Sequence, residues 1–304
     1  MVLGTQDIQN ISRRGALVSG PFLPVPASPA TVPVTQIGPG HGEPDTVFLH
    51  GLFSSNSMWR AMSRLQDPLH AIALPLPGHF PWNTTPEEIA ALLGDFVFLE
   101  TWREAIRTRT DRKVTLVAHS TGAFAAMKMA ALWPDLVERI VLFGAFSCGV
   151  TAAARSASAS IVTLPLAGGM LFRMLYELWL YSPALYDRGL ATAKAAGLGK
   201  SARLSPERAM HADLRRSNPE SMRAVVRWLR ATSIADDIAG ISVPATVVIG
   251  TTDPVVGARE QIELARALPR GTAIICDVGH LPMFEAPELV RRLVVQPKWI
   301  SRAG

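Results

Sequence analysis

The sequence predicts an α/β fold: a mostly parallel, doubly wound sheet interrupted by a helical lid. Three observations carry this. First, short β-branched and apolar runs alternate with helical patterns; the runs are Thr46–Leu49, Leu69–Leu74, Val114–Ala118 and Arg139–Phe143. That alternation marks buried parallel strands joined by helical crossovers. Second, from about Cys148 to Ile238 only helical patterns occur. Third, the strand pattern resumes at Pro244–Gly250 and Thr272–Asp277. Helices lying between two strands of one sheet read as an insertion. The expected organisation is a core over residues 1–147, a helical cap over 148–238, and the rest of the core over 239–304.

The elements follow in order. Residues 1–15 read as a polar arm, and Ala16–Val25 and Thr31–Ile37 as two antiparallel strands joined through Pro26–Ala30. Gly38-Pro39-Gly40-His41-Gly42 is a turn cluster. A helix is expected over Ser57–Leu65. Thr85-Pro86-Glu87-Glu88 is a strong helix start: Thr85 caps, Pro86 suits the first helical position, and Glu88 completes a capping box. This helix is expected to reach about Arg107. The helix after Ser120 is apolar on nearly every face except at Lys128, which predicts burial, and Pro134 ends it. In the cap, Ser205-Pro206-Glu207 and Asn218-Pro219-Glu220 repeat the cap-then-proline start. A helix over about Val256–Leu268 and a terminal one from Pro287 to about Trp299 complete the chain.

Composition narrows the function classes. Of 304 residues, 48% are hydrophobic and 18% charged, the balance of a globular chain with a large core. The net charge of +5 comes from scattered arginines. No dense basic run with interleaved aromatics suggests a nucleic-acid partner. Cys148 and Cys276 lie in apolar contexts and read as buried free thiols, which suits a reducing, cytoplasmic compartment. No Cys-x-x-Cys or His/Cys cluster suggests a metal, and no cofactor is expected. Ser12-Arg13-Arg14 loosely echoes a twin-arginine signal, with Ser28-Pro29-Ala30 as a cleavage-like site. Pro21, Pro24 and Pro26 between them break the apolar helix that such a signal needs. Ile161–Tyr181 is apolar enough to raise a membrane span. Pro165, Gly168-Gly169 and the Arg173/Glu177 pair at i,i+4 spacing argue against one. The stretch reads instead as an amphipathic lid whose apolar side roofs a pocket.

The chemistry centres on Val114–Met127. A short buried strand stops at Ser120 and a helix starts at once. The sharp turn requires small side chains two residues to either side, and Ala118 and Gly122 supply them. This is a nucleophile elbow, Gly-x-Ser-x-Gly with alanine in the first slot. A serine needs a base, and the base a carboxylate to orient it. Asp253, in Gly250-Thr251-Thr252-Asp253-Pro254, and His280, in Val278-Gly279-His280-Leu281-Pro282, both follow late strands at the sheet edge where such sites form. His119 is read as structural, His50 as a buttress of its loop, His41 and His79 as loop residues, and Glu285 as a brace for the terminal helix.

These motifs give the chain a family resemblance. His50-Gly51 after an early strand, Ala118-His119-Ser120-Thr121-Gly122, Gly250–Pro254 and Gly279-His280-Leu281-Pro282-Met283-Phe284-Glu285-Ala286-Pro287-Glu288 occur in the order and spacing of α/β-hydrolases of the ester-hydrolase type. The departures are Ala118 for the usual glycine, and Leu74-Pro75-Leu76-Pro77-Gly78-His79 where an acidic residue often precedes Pro-Gly-His. The resemblance implies catalytic Ser120, Asp253 and His280. It also implies an oxyanion hole from the backbone N–H groups of Leu52 and Thr121, with Phe53 as the fallback. Phe53, Phe146, Leu281 and Met283 flank the motifs and are the candidate substrate contacts. An apolar pocket favours a hydrophobic acyl substrate. The expected activity is hydrolysis of a carboxylic ester, lactone or thioester through an acyl-enzyme. The alternatives are acyl transfer or carbon–carbon hydrolysis with the same triad, or a non-catalytic ligand-binding member. Ser120 argues against the dehalogenase and epoxide-hydrolase relatives, which use a carboxylate nucleophile.

Overall fold

The computed structural model describes residues 31–38, 42–64, 70–149, 168–195 and 205–295. The expected polar arm, the first strand of the leading pair, the signal-like segment, His41 and the stretch beyond Val295 lie outside them.

Among the described residues, seven strands form one sheet: β1 (Thr35–Ile37), β2 (Thr46–Leu49), β3 (Ala71–Leu74), β4 (Val114–His119), β5 (Val137–Phe143), β6 (Ala245–Gly250) and β7 (Gly271–Cys276). Their order is β1-β3-β2-β4-β5-β6-β7. Only β1 runs antiparallel, against β3. The inner strands β2, β3, β4 and β6 are buried on both faces, as their continuous apolar runs require. From β2 the chain steps outward to β3, then returns across β2 to β4 and proceeds to β7. The order therefore reverses between β2 and β4, the position where open α/β sheets bind their ligands.

Between β3 and β4 lie α1 (Pro86–Leu93) and α2 (Val97–Arg107). The capping box at Thr85 forms as expected, with Glu88 N–H donating to Thr85 Oγ1 at 3.2 Å and Thr85 N–H to Glu88 Oε2 at 2.8 Å. The single helix expected to Arg107 is broken, however. Asp95 and Phe96 adopt left-handed φ of 46° and 59°. The break turns the Phe96 ring onto Phe124 and Trp228, at centroid distances of 6.2 and 5.5 Å. Packing of that partly buried ring against Phe124 and Trp228 opposes the local helical preference. The expected helix after β2 is likewise replaced by a 3₁₀ segment, Asn56–Arg64.

Helix α3 (Thr121–Leu132) packs directly behind β4 and is buried almost throughout. Lys128, its one charge, meets Asp237 at 2.8 Å. Gly122 sits where α3 crosses the end of β2. A Cβ there would lie 2.5 Å from the His50 carbonyl oxygen and 2.6 Å from that of Leu49. Both obstacles are backbone, so Gly122→Ala should force α3 away from β2. We expect a loss of about 1–3 kcal/mol, the usual cost of overpacking, read as a lower urea midpoint with an unchanged denaturant slope.

Among the described residues, four helices lie between β5 and β6: α4 (Gly168–Tyr181), α5 (Pro183–Ala191), α6 (Ser205–Leu214) and α7 (Pro219–Ala231). The two stems of this insertion are tied together. Cys148 bridges Ser233, Gly149 N–H donates to the Thr232 carbonyl at 3.0 Å, and Ile234 N–H to that of Ser147 at 2.9 Å. The described residues between β5 and β6 are thus in helices and turns apart from this strand-like closure. Helix α4 is not amphipathic in the expected sense. Phe172, Tyr176 and Leu180 are buried, yet Met170, Met174, Leu178 and Tyr181 on the other side are exposed. The Arg173–Glu177 pair forms at 2.9 Å. No helix among the described residues is long and apolar enough to cross a membrane. After β6 come α8 (Ala258–Ala267), the single turn α9 (Pro282–Glu285) and α10 (Pro287–Val295).

Candidate active site

Ser120 occupies the junction of β4 and α3 with φ 52° and ψ −117°. A non-glycine residue held there costs on the order of 1–3 kcal/mol and persists only where its surroundings enforce it. They do. Its N–H donates to the Phe143 carbonyl of β5 at 2.9 Å, and its own carbonyl accepts from Phe124 N–H at 3.0 Å as the first bond of α3. The serine is pinned between sheet and helix, and its side chain lies against Gly51. A Cβ on Gly51 would stand 2.9 Å from Ser120 Cβ and 2.8 Å from His119 Nδ1, so only glycine allows the β2 loop this close.

Asp253 and His280 are in direct contact. The His280 ring Nδ1 lies 2.9 Å from Asp253 Oδ2. The other carboxylate oxygen accepts the N–H groups of Val255 and Val256 at 2.8 and 2.9 Å. Burial alone would raise the Asp253 pKa. The bond and charge of His280, with those two N–H groups, outweigh it and hold the carboxyl below its usual range. An ionised Asp253 makes His280 Nδ1 the donor, which leaves Nε2 as the unprotonated nitrogen. Gly144, with φ 55°, lies under this ring; a Cβ would come within 2.6 Å of His280 Cε1.

The structure brings Ser120 next to this pair through its neighbours. Ser120 bonds Phe143, the residue before Gly144, and His119 Nε2 donates to the His280 carbonyl at 2.8 Å. Ser120 Oγ makes no hydrogen bond to the His280 ring among the described residues. Such bonds commonly tighten only when a substrate is bound.

His50 explains the shape of the loop after β2. Its Nδ1–H donates to the Gly51 carbonyl at 2.8 Å, and its Nε2 accepts Leu76 N–H at 3.1 Å. Both nitrogens are committed, as a buttress requires. The next N–H groups are free: among the described residues neither Leu52 N–H nor Thr121 N–H has a protein acceptor. Thr121 is the first residue of α3, where the helix leaves its N–H groups unpaired and the dipole favours negative charge. Phe53, the next loop residue, has φ 54°.

Three histidines around the site are held neutral. Burial, reinforced by His79, sets the His50 pKa well below 6.5. Burial lowers His79 to about 4. Burial and then the nearby His280 lower His119 to about 3. His119 is therefore a neutral Nε2–H donor, in keeping with its structural reading. His79 similarly donates Nδ1–H to the Pro77 carbonyl at 3.1 Å.

The candidate substrate contacts divide. Phe53, Leu281 and Met283 share one apolar cluster with Phe172 and Tyr176 of helix α4. The Phe53 ring lies 6.4, 6.0 and 6.1 Å from Phe172, Tyr176 and Trp179. Phe146 belongs to the other cluster, where it packs on Phe124 at 5.6 Å. Neither cysteine is in a disulfide, and both are only partly buried rather than fully so. Among the described residues, no three His, Cys, Asp or Glu side chains are grouped to hold a metal.

Three site residues escaped the sequence reading. Gly144 looks like any glycine after a strand. Gln261, on α8, donates to Asp253 Oδ2 at 3.2 Å and to the Val256 carbonyl at 2.8 Å, spanning eight positions from the aspartate. Glu285 was read as a helix brace, yet its carboxylate accepts three backbone N–H groups, two of them flanking His280.

Comparison with known proteins agrees with this architecture. A model of the alpha/beta hydrolase family matches residues 46–293. An (E)-2-((N-methylformamido)methylene)succinate hydrolase from Acinetobacter baylyi is 28% identical over 83% of this chain and 89% of its own. A pimeloyl-[acyl-carrier protein] methyl ester esterase from Aromatoleum aromaticum is 26% identical over 81% of this chain and 94% of its own. Among solved structures, an enol-lactonase from Burkholderia xenovorans superposes with a TM-score of 0.60 at 18% identity, covering 87% of this chain and 95% of that one. A hydrolase from Oleispira antarctica gives 0.63 at 15% identity, covering 87% and 93%.

Proposed function

Because the chain belongs to the alpha/beta hydrolase family, we propose that it hydrolyses a carboxylic ester, lactone or thioester of a hydrophobic substrate through an acyl-enzyme. Ser120 is the nucleophile, His280 the base, and Asp253 the group that orients His280. The observation that carries this is the His280–Asp253 bond, which turns Nδ1 to the carboxylate, in a structure where His119, the neighbour of Ser120, bonds the His280 carbonyl.

The steps follow from that geometry. His280 Nε2 takes the Ser120 proton as Oγ attacks the substrate carbonyl carbon. Negative charge develops on the carbonyl oxygen, and the free N–H groups of Leu52 and Thr121 are the donors that meet it. One such donor is typically worth about 3 kcal/mol of transition-state stabilisation. The protonated imidazole then gives its proton to the leaving alcohol or thiol, and the acyl group stays on Oγ. Water, deprotonated by His280, then attacks the acyl carbon; the bond to Oγ breaks, Oγ takes the proton back from His280, and the acid leaves. Asp253 stays ionised throughout and stabilises the imidazolium.

The names of the relatives, a methyl ester esterase and an enol-lactonase among them, support acyl–oxygen cleavage. The aromatic cluster of Phe53, Phe172, Tyr176 and Trp179 supports an apolar substrate. A fluorophosphonate probe tests the chemistry: it should attach to Ser120 in the folded protein and to nothing in Ser120→Ala. Absence of labelling in the folded wild-type protein would remove the enzyme reading in favour of a ligand-binding one. Graded p-nitrophenyl esters and acyl thioesters then identify the acyl length.

A further inference from the structure

The loop that carries His280 is held at more points than its connection to β7 requires. His280 N–H donates to the Ala193 carbonyl at 2.8 Å, and Ala193 lies just past the lid helix α5. The Gly279 backbone rests on the same lid segment, so closely that a Cβ would lie 2.4 Å from Ala195 N. Glu285 joins the two sides. Its Oε2 accepts both Gly279 N–H, at 2.7 Å, and Ala195 N–H, at 2.9 Å, while Oε1 accepts Leu281 N–H at 2.9 Å. One carboxylate thus binds the residue before His280, the residue after it, and the lid. The single turn Pro282–Glu285 makes this possible by folding the chain back on itself.

We infer that Glu285 is a positioning residue: its carboxylate sets the backbone of the His280 loop and locks that loop to the lid at Ala195, so that lid docking and base geometry are one event. The inference rests on the assignment of His280 as the base. Three charge-assisted acceptor bonds from one side chain leave the loop little freedom. An ordinary helix brace would bond the first turn of α10, whereas all three bonds here go to the base loop and the lid. Lys194, between Ala193 and Ala195, adds a second fastening through Glu207 of α6 and packs over the Phe284 ring at 5.8 Å.

Glu285→Gln is the test. An amide cannot satisfy the site, because whichever way it turns its NH₂ faces a backbone N–H donor. With a short p-nitrophenyl ester, kcat should fall by a factor approaching ~100, the effect of a misplacement of about 1 Å, with KM nearly unchanged. The rate of fluorophosphonate labelling at Ser120 should fall in parallel. The low-field proton resonance of the His280–Asp253 bond should shift or broaden. Glu285→Asp keeps the charge but shortens the reach, and should fall between wild type and Glu285→Gln. A purely structural Glu285 would give a lower melting temperature with full activity and an unmoved resonance in the folded protein, which overturns the inference. Failure of both variants to fold overturns it equally, since the carboxylate would then serve stability alone. Wild type labelled, with Glu285→Gln labelled at the same rate, overturns only the Glu285 role. A folded wild type that takes no label removes the triad reading and this one with it.

Discussion

Ser120→Ala and His280→Ala should each remove nearly all ester turnover, approaching ~10⁶-fold in kcat, because the members of such a unit fail together. The expectation follows from chemistry that nothing else among the described residues duplicates. A hydroxyl at neutral pH is a poor nucleophile without a base, and the nearest other imidazole, His119, has its Nε2–H committed to the His280 carbonyl. Asp253→Asn separates orientation from charge. Its amide could still accept the Val255 and Val256 N–H groups. It would present an NH₂ or a neutral oxygen to His280 Nδ1, favouring the wrong tautomer; in serine-protease triads that change costs about 10⁴-fold. Steady-state kinetics on one p-nitrophenyl ester, with each variant verified as folded, checks all three. Retention of most activity in His280→Ala would reassign the base.

Acid should destabilise the protein well before its carboxylates protonate. His50, His79 and His119 are fully buried, and the folded protein holds all three neutral, His79 at about 4 and His119 at about 3 against 6.5 for a free histidine. The folded pKa values lie below the unfolded one, so the unfolded chain binds the extra protons. Stability is therefore fully present above about pH 6.5 and is lost as pH falls towards the folded values. Each group contributes up to about 1.4 kcal/mol per pH unit within that window. Three together exhaust a stability of ~5–15 kcal/mol within a few units. Urea titrations at pH 8, 7, 6 and 5 should show a flat upper region and a steep fall below pH 6.5. His79→Gln, if it folds, should shallow that fall. A midpoint constant from pH 8 to pH 5 would show that these histidines protonate in place.

Much of the site was legible because its residues sit at strand ends, and strand ends show in sequence. The apolar run up to Ala118 stops where β4 stops, and Ser120 follows. The same reading put Asp253 after β6 and His280 after β7. Gly122 was legible for an incomplete reason: crowding at the turn suggested a small residue, while the contact that forbids a Cβ comes from the carbonyls of Leu49 and His50 on another strand. Phe146 shows the limit of that reading. It follows β5, and only the structure shows that it packs on Phe124, in a different cluster from Phe53, Leu281 and Met283. Sequence position gives the strand end, not the side to which a loop residue turns.

The helix expected from Pro86 to Arg107 marks a similar boundary. The capping box at Thr85 is a four-residue interaction and was readable. The left-handed turn at Asp95 and Phe96 is not, since it accompanies the packing of the Phe96 ring against α3 and α7.

The order of residues by itself determined the alternation of strands and helices, the strand-to-helix turn at Ser120, and which serine, aspartate and histidine are the candidates for nucleophile, acid and base. These depend on periodicity, turn sterics and functional groups that a chain carries locally. Only the tertiary structure decided that His280 meets Asp253 at 2.9 Å, that His119 bonds the His280 carbonyl, and that Glu285 ties the His280 loop to Ala195. It also decided that Gly51 and Gly144 must lack side chains. Each of those contacts joins segments far apart in the chain, and their distances are set by how the sheet twists and the insertion docks, which no local pattern encodes.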